Sequence, residues 1–131
     1  MFIDSNIFLY AIGDKDLGKQ KIAQSIITKA NACISVQVIN EVSINALKKL
    51  NFTEPDLRRL LESCYARYSV LNSNLAIFEL ASNLRDKYNF SYFDSIIVAT
   101  AIDGKCETLY SEDMQHGLNV MEQVRIVNPF K

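Results

Sequence analysis

Four carboxylates stand where apolar stretches of the chain end, or where a helical stretch runs beside buried surface. They are Asp4, Glu41, Asp94 and Asp113. Asp94, for example, opens a helical segment that has no other charge until Asp103. A carboxylate beside buried surface is costly unless it is paired or coordinated to a metal. If the four side chains converge, a divalent cation would relieve their mutual repulsion.

The chemistry open to such a cluster is that of a bound cation. Four hard oxygen ligands suit Mg²⁺ or Mn²⁺ rather than zinc. One or two such ions would activate a water and stabilise the charge that develops on a phosphodiester. A catalytic triad is not indicated, because the chain has no G-x-S-x-G motif. The chain also lacks a phosphate-binding glycine loop, since it has no G-x-x-x-x-G-K motif. The single histidine, His116, is more typical of a structural hydrogen-bonding residue.

Each acid also has a structural interpretation, and the residues alone leave both open. Asp94 forms a capping-box pattern with Ser91. It would lie in the first turn of a helix, where the dipole favours an anion, so we expect its pKa to be lowered. Asp4 fits an Asx turn after a strand, with Asn6 capping the next helix. Glu41 fits a surface salt bridge equally well.

Composition indicates one domain over residues 1–131. A chain of 131 residues that is 49% hydrophobic can bury a substantial core. Fourteen basic and fifteen acidic residues leave a net charge of −1, so bulk charge does not point to nucleic acid. The three cysteines have no metal-binding or redox spacing, and no apolar run is long enough to cross a membrane. We therefore expect a soluble protein of the cytoplasm.

Short apolar runs alternate with helical patterns along the whole chain. The predicted strands are 2–4, 32–35, 68–71, 108–110 and 124–127, and the predicted helices are 6–12, 17–31, 36–50, 55–67, 75–87 and 92–103. Such an alternation requires crossover connections and a parallel sheet. The predicted fold is a three-layer α/β/α domain with a short parallel sheet. Ligands of such sheets gather at the carboxyl ends of the strands, where Asp4 and Asp113 fall.

The chain resembles the PIN-domain family, and within it the VapC-type toxins. The resemblance rests on four segments: MFIDSN at 1–6, NE at 40–41, YFDSIIVATA at 92–101 and YSEDMQHG at 110–117. Together they cover the chain in the family's order and spacing. The resemblance implies a quartet of acids, Asp4, Glu41, Asp94 and Asp113, that binds Mg²⁺ or Mn²⁺ and cleaves single-stranded RNA. Asn6 and Ser111 match polar positions that support the site, whereas we interpret Glu112 as a plain loop cap.

Other classes of protein also place acids at strand ends. A phospho-accepting receiver domain needs adjacent acids after its first strand, and a D-x-D phosphatase needs a second acid, but Asp4 stands alone. A catalytically silent PIN-like domain that only binds protein remains an alternative. Phosphate contacts would come from basic residues near the pocket, for which the sequence offers Lys48, Lys49, Arg85 and Lys87 without a ranking.

The toxin resemblance also implies partners. A nuclease free in the cytoplasm would harm its host, so we expect a cognate antitoxin protein that blocks the acidic cleft. We also expect a homodimer, because segment 53–67 has an apolar stripe at helical spacing. The alternative is that this stripe packs inside its own domain.

Overall fold

The computed structural model describes residues 1–29 and 31–131, which form six strands and six helices. The strands are β1 (Phe2–Ile3), β2 (Cys33–Ser35), β3 (Ser69–Leu71), β4 (Thr108–Tyr110), β5 (Asn119–Val120) and β6 (Val124–Val127). The helices are α1 (Ser5–Ile12), α2 (Leu17–Ile27), α3 (Val36–Lys49), α4 (Glu54–Arg67), α5 (Leu75–Lys87) and α6 (Tyr92–Asp103).

The strands form one sheet in the order β3-β2-β1-β4-β6-β5. Every neighbouring pair is parallel except β5 and β6. Phe2 and Ile3 are consecutive in β1 and are both 0% exposed. Because consecutive side chains of a strand point to opposite faces, both faces of the sheet are covered. The predicted α/β/α architecture is confirmed.

The register of β1 and β4 brings two segments of the sequence together. Ile3 pairs with Tyr110, and the next N–H, that of Asp4, donates to the Tyr110 carbonyl at 3.0 Å. Both strands therefore end at the same edge of the sheet. Asp4 and Ser111, which directly follow them, become neighbours there.

Helix α6 is buried on nearly all sides. All seven residues from Ser95 to Ala101 are buried, and most of them are Ile, Val or Ala. A helix that is apolar all round belongs in a core. The first turn of α6, which contains Asp94, precedes this buried stretch. No helix in the described part of the chain is both long and apolar enough to cross a membrane.

The structure corrects two details of the predicted elements. The sequence did not predict β5, which forms a tight hairpin with β6 through Met121 and Glu122. Both turn residues have positive φ, at 51° and 57°, a conformation usually taken by Asn or Gly. Helix α2 ends at Ile27 and not at the predicted 31, and Ala30 of that predicted range lies outside the described residues.

The apolar stripe of α4 packs within the domain. Leu57 and Cys64 are buried, and Leu60 packs against the core. Tyr65 of the same stripe is exposed. The alternative of internal packing therefore accounts for most of this stripe, and α4 gives no support to a dimer interface.

Candidate active site

Asp4 is held at the end of β1 by hydrogen bonds to both carboxylate oxygens. Its Oδ1 accepts from the Ser5 N–H at 2.8 Å, and its Oδ2 accepts from the Ser111 hydroxyl at 2.8 Å. Ser111 is fully buried, and its N–H donates to the Val127 carbonyl. Asp4 is only 6% exposed. It also caps α1, so the alternative in which Asn6 has that role is wrong, because the helix already begins at Ser5.

Glu41 faces the same region from α3. Its Oε2 accepts from the Ser5 hydroxyl at 2.9 Å, and its Oε1 accepts from Gln37 Nε2 at 3.0 Å. Both partners are neutral, and the residues that the structure describes give Glu41 no ion pair. The salt-bridge interpretation therefore does not hold for these residues.

Asp94 lies in the first turn of α6. Its N–H donates to the Ser91 hydroxyl at 3.2 Å, which confirms Ser91 as the N-cap, and its side chain is half-buried. The reciprocal bond of the predicted capping box, from the Ser91 N–H to the Asp94 carboxylate, is not formed among the described residues. Arg85 of α5 braces the same helix start. Its Nη1 donates to the buried Ser95 hydroxyl at 2.7 Å, and its guanidinium lies 4.8 Å from the centre of the Tyr92 ring.

Asp113 lies in the loop after β4 and is exposed. Its Oδ2 accepts from Asn6 Nδ2 at 3.0 Å, and Asn6 Oδ1 accepts from the Glu112 N–H at 3.3 Å. One amide of α1 therefore ties both the side chain and the backbone of this loop. Farther along, His116 Nδ1 accepts from the Asn128 N–H at 2.9 Å, a structural contact of the kind expected.

The four carboxylates act on one another electrostatically. Burial raises the pKa of Asp4 to about 6, hydrogen bonds from Ser111 and Ser5 oppose this, and the charges of Glu41 and Asp94 add to it. Burial also raises the pKa of Asp94, with the charges of Asp113 and Glu41 adding to it. The expected lowering at Asp94 is wrong, because desolvation and like charges outweigh the favourable helix start.

The chemical type of the four side chains suits a hard divalent cation, because all of their donor atoms are carboxylate oxygens. Four carboxylates face one region, none of them has a basic partner in the described residues, and two have raised pKa values. As placed, however, no three acidic, His or Cys side chains of the described residues form a group that could hold an ion. An ion would therefore have to draw the carboxylates together.

Glu112, in contrast, is neutralised. Its carboxylate forms an ion pair with Lys19 of α2 and accepts from the Tyr10 hydroxyl at 2.8 Å. The Lys19 ammonium lies 4.7 Å from the centre of the Tyr10 ring, which packs edge-on against Phe130. The interpretation of Glu112 as a plain loop cap is wrong. Sequence could not reveal this cluster, because Lys19 and Glu112 are 93 positions apart.

The basic residues considered from the sequence have different surroundings. Arg85 braces the start of α6. Lys49 lines an open cleft that also contains Asn6 and Glu112, and so does Lys15, which sequence reasoning missed. Lys48 and Lys87 are exposed and do not line this cleft.

Comparison with known proteins places the chain in a family. The PIN domain model matches residues 1–117, so the chain belongs to the PIN domain family. No curated protein matches it.

Solved structures share the fold at low identity. A toxin-antitoxin complex from Klebsiella pneumoniae is 21% identical, with a TM-score of 0.74 over 98% of this chain and 96% of that chain. FitAcB from Neisseria gonorrhoeae is 15% identical, with a TM-score of 0.71 over 98% and 97%. VapC20 of Mycobacterium tuberculosis, described as a sarcin-ricin loop cleaving toxin, is 13% identical, with a TM-score of 0.67 over 82% and 85%. At these identities the likeness shows the fold alone.

The raised pKa of Asp4 predicts a pH-dependent stability. An acid with a raised pKa binds its proton more tightly in the folded state, so its contribution falls as pH rises from about 4 to about 6. Asp4→Asn removes this effect and keeps an acceptor for Ser5. In excess EDTA, the variant's free energy of unfolding should exceed that of the wild type above pH 6 by on the order of 3 kcal/mol. The gap should close toward pH 4. Urea denaturation across this range measures it, and parallel curves would contradict the assignment.

Proposed function

We propose that this protein is an Mg²⁺- or Mn²⁺-dependent endoribonuclease that cleaves single-stranded RNA, and that it is the toxin of a VapBC-type toxin-antitoxin pair. The observation that supports it most is the set of four mutually repelling carboxylates in a PIN domain, each without a basic partner in the described residues. VapC20, which shares the fold, is described as a sarcin-ricin loop cleaving toxin, and this supports RNA as the proposed substrate class.

Asp4, Asp94 and Asp113 would hold the cation, with Glu41 beside them. The bound ion would supply positive charge for the phosphodiester and lower the pKa of a water. The chain's own residues orient the carboxylates: Ser111 and the Ser5 N–H fix Asp4, while the Ser5 hydroxyl and Gln37 fix Glu41. Asn6 fixes Asp113.

The reaction would be a hydrolysis with no covalent enzyme intermediate. Water oxygen bonds to phosphorus, one ester bond breaks, and the products are a phosphate monoester end and a hydroxyl end. Glu41 would orient the attacking water with one of its carboxylate oxygens. That oxygen would first give up its hydrogen bond from Ser5 or from Gln37. Both of these partners, the Ser5 hydroxyl and the Gln37 amide, are neutral, so no basic side chain would have to leave Glu41 first.

The proposed partners follow from the same acids. A protein that blocks an uncompensated acidic cluster needs a basic side chain, and the Klebsiella pneumoniae neighbour is described as a toxin-antitoxin complex. We therefore propose a cognate antitoxin and action in the cytoplasm, where both partner and RNA are present. We also keep the homodimer as a proposal. Its candidate contacts are exposed apolar residues of α3 and α5, Ile44, Leu47, Leu75 and Phe78.

Metal removal is the first test of this function. The carboxylates repel an anionic substrate when no cation is bound, so excess EDTA should abolish cleavage of single-stranded RNA. Mg²⁺ or Mn²⁺ should restore it. Calorimetric titration with Mn²⁺ separates the rival interpretation, a silent protein-binding domain, because that domain has no reason to bind the ion. Cleavage that persists in EDTA would overturn the proposal.

Asp94→Asn tests the role of the acids with the fold preserved. The amide keeps the size of the side chain and leaves the backbone bond to Ser91 intact, but it removes a charged ligand. Activity should fall by roughly 10²-fold or more, with an unchanged circular dichroism spectrum. Asp103→Asn, at the other end of the same helix and exposed, is the matched control and should keep full activity. Equal losses in both variants would remove Asp94 from the site.

Expression in a bacterial host tests the partner and the oligomeric state. The wild type alone should arrest growth, and co-expression of the neighbouring reading frame should relieve the arrest. Asp94→Asn alone should be harmless. Light scattering of the purified chain should give twice the mass of one chain. Harmless expression of an active wild type would contradict the toxin assignment, and the mass of a single chain would contradict the homodimer.

A further inference from the structure

An open cleft of about 420 Å³ lies beside the carboxylates. Its walls come from α1, the loop that follows it and the end of α3. Pockets for small ligands commonly measure roughly 300–1,000 Å³, so the space suits one group of small-molecule size.

One side chain, that of Asn6, belongs both to the wall of the cleft and to the acidic site. Asn6, which donates to Asp113, lies in its wall. Asn45 also lines the cleft, and its Nδ2 donates to the backbone carbonyl of Glu41 at 2.8 Å, a bond within α3 that fixes the Asn45 side chain and does not involve the Glu41 carboxylate. A group in the cleft would therefore lie next to Asn6, the residue that holds Asp113.

The walls combine flat apolar surface with an available acceptor. Leu9, Leu50 and the Tyr10 ring provide the apolar part. Tyr10 is held in place by Glu112, so this wall exists before any ligand enters. Asn45 Oδ1 accepts no hydrogen bond from residues 1–29 and 31–131. Aromatic surfaces together with side-chain amides are what proteins use to stack an unpaired base and read its edge.

The charges of the cleft suit an anionic ligand. Lys15 and Lys49 line it, and the carboxylate of Glu112 is already paired with Lys19. Asp14 is the remaining acid of the lining. The charge of the cleft lining is thus opposite in sign to that of the neighbouring carboxylates. Those carboxylates would bind a phosphate only if a cation lay between them and it.

We propose that this cleft binds the nucleotide next to the scissile phosphate. Its base packs on Tyr10 and Leu50, Asn45 reads the base edge, and Lys49 contacts the adjoining phosphate. The proposal takes its substrate class from the proposed ribonuclease function, but binding can be tested without cleavage.

Nuclear magnetic resonance titration of the full chain with AMP, GMP, CMP and UMP in EDTA is the direct test. We expect saturable shifts at Leu9, Asn45 and Leu50, with one base preferred. Lys49→Ala should weaken this binding about threefold or more. Lys48→Ala removes the same charge from the same helical turn, outside the cleft, and should leave the affinity unchanged. Shifts confined to residues outside the cleft, or equal effects of both lysine variants, would overturn the proposal.

A cleavage experiment separates this proposal from the function it rests on. With Mg²⁺ and a pool of randomised single-stranded RNA, sequencing of the product ends should show a base preference at one position next to the cut. Asn45→Ala should weaken that preference and raise KM, whereas exposed Asn40→Ala should do neither. Nucleotide-induced shifts without any cleavage would support nucleotide binding in the cleft and contradict the ribonuclease function. Cleavage without any nucleotide-induced shift in the cleft would support the ribonuclease function and contradict nucleotide binding in the cleft. If the partner protein shifts the signals of the cleft residues and no nucleotide does, the cleft binds that protein and the proposal is wrong.

Discussion

The burial of the Asp4 carboxyl beside three other acids is the constraint on which the site depends. A buried carboxylate is unfavourable on its own, and its neighbours at Glu41 and Asp94 add repulsion. The protein offsets part of this cost with the Ser5 N–H and the Ser111 hydroxyl. Neither donor brings a positive charge. The side chain is thus fixed in place while its charge stays uncompensated, which is the condition a cation site requires.

The apolar elements around the site supply the stability that this arrangement lowers. β1 is fully buried on both faces, and α6 is buried along nearly its whole length. Asp94 stands in the first turn of α6, just before the buried stretch from Ser95 to Ala101. The fold therefore separates two tasks: the sheet and α6 provide the free energy of folding, and their ends hold groups that oppose it. Such a trade between stability and function is common at active sites.

Sequence reasoning predicted the parts of this protein that depend on local pattern. Helices α5 and α6 and strands β4 and β6 have the predicted bounds, because apolar periodicity and caps are local signals. The β5 hairpin was missed, since Met121 and Glu122 adopt positive φ without being turn-forming residues. The raised pKa of Asp94 was also missed, because it depends on burial and on charges from other elements.

Glu112 and Asp113 show why residue type alone does not define a site. They are adjacent acids, but Glu112 is paired with Lys19 and Tyr10, whereas Asp113 receives only the neutral Asn6 amide. The ion pair with Lys19 compensates the negative charge of Glu112 in the wall of the cleft. The Asn6 amide brings no positive charge to Asp113. Under the proposed function, an anionic substrate would approach along the cleft, which Lys15 and Lys49 line, and would reach the acids only where they hold a cation. Although they are adjacent in the chain, Glu112 lines the cleft and Asp113 does not.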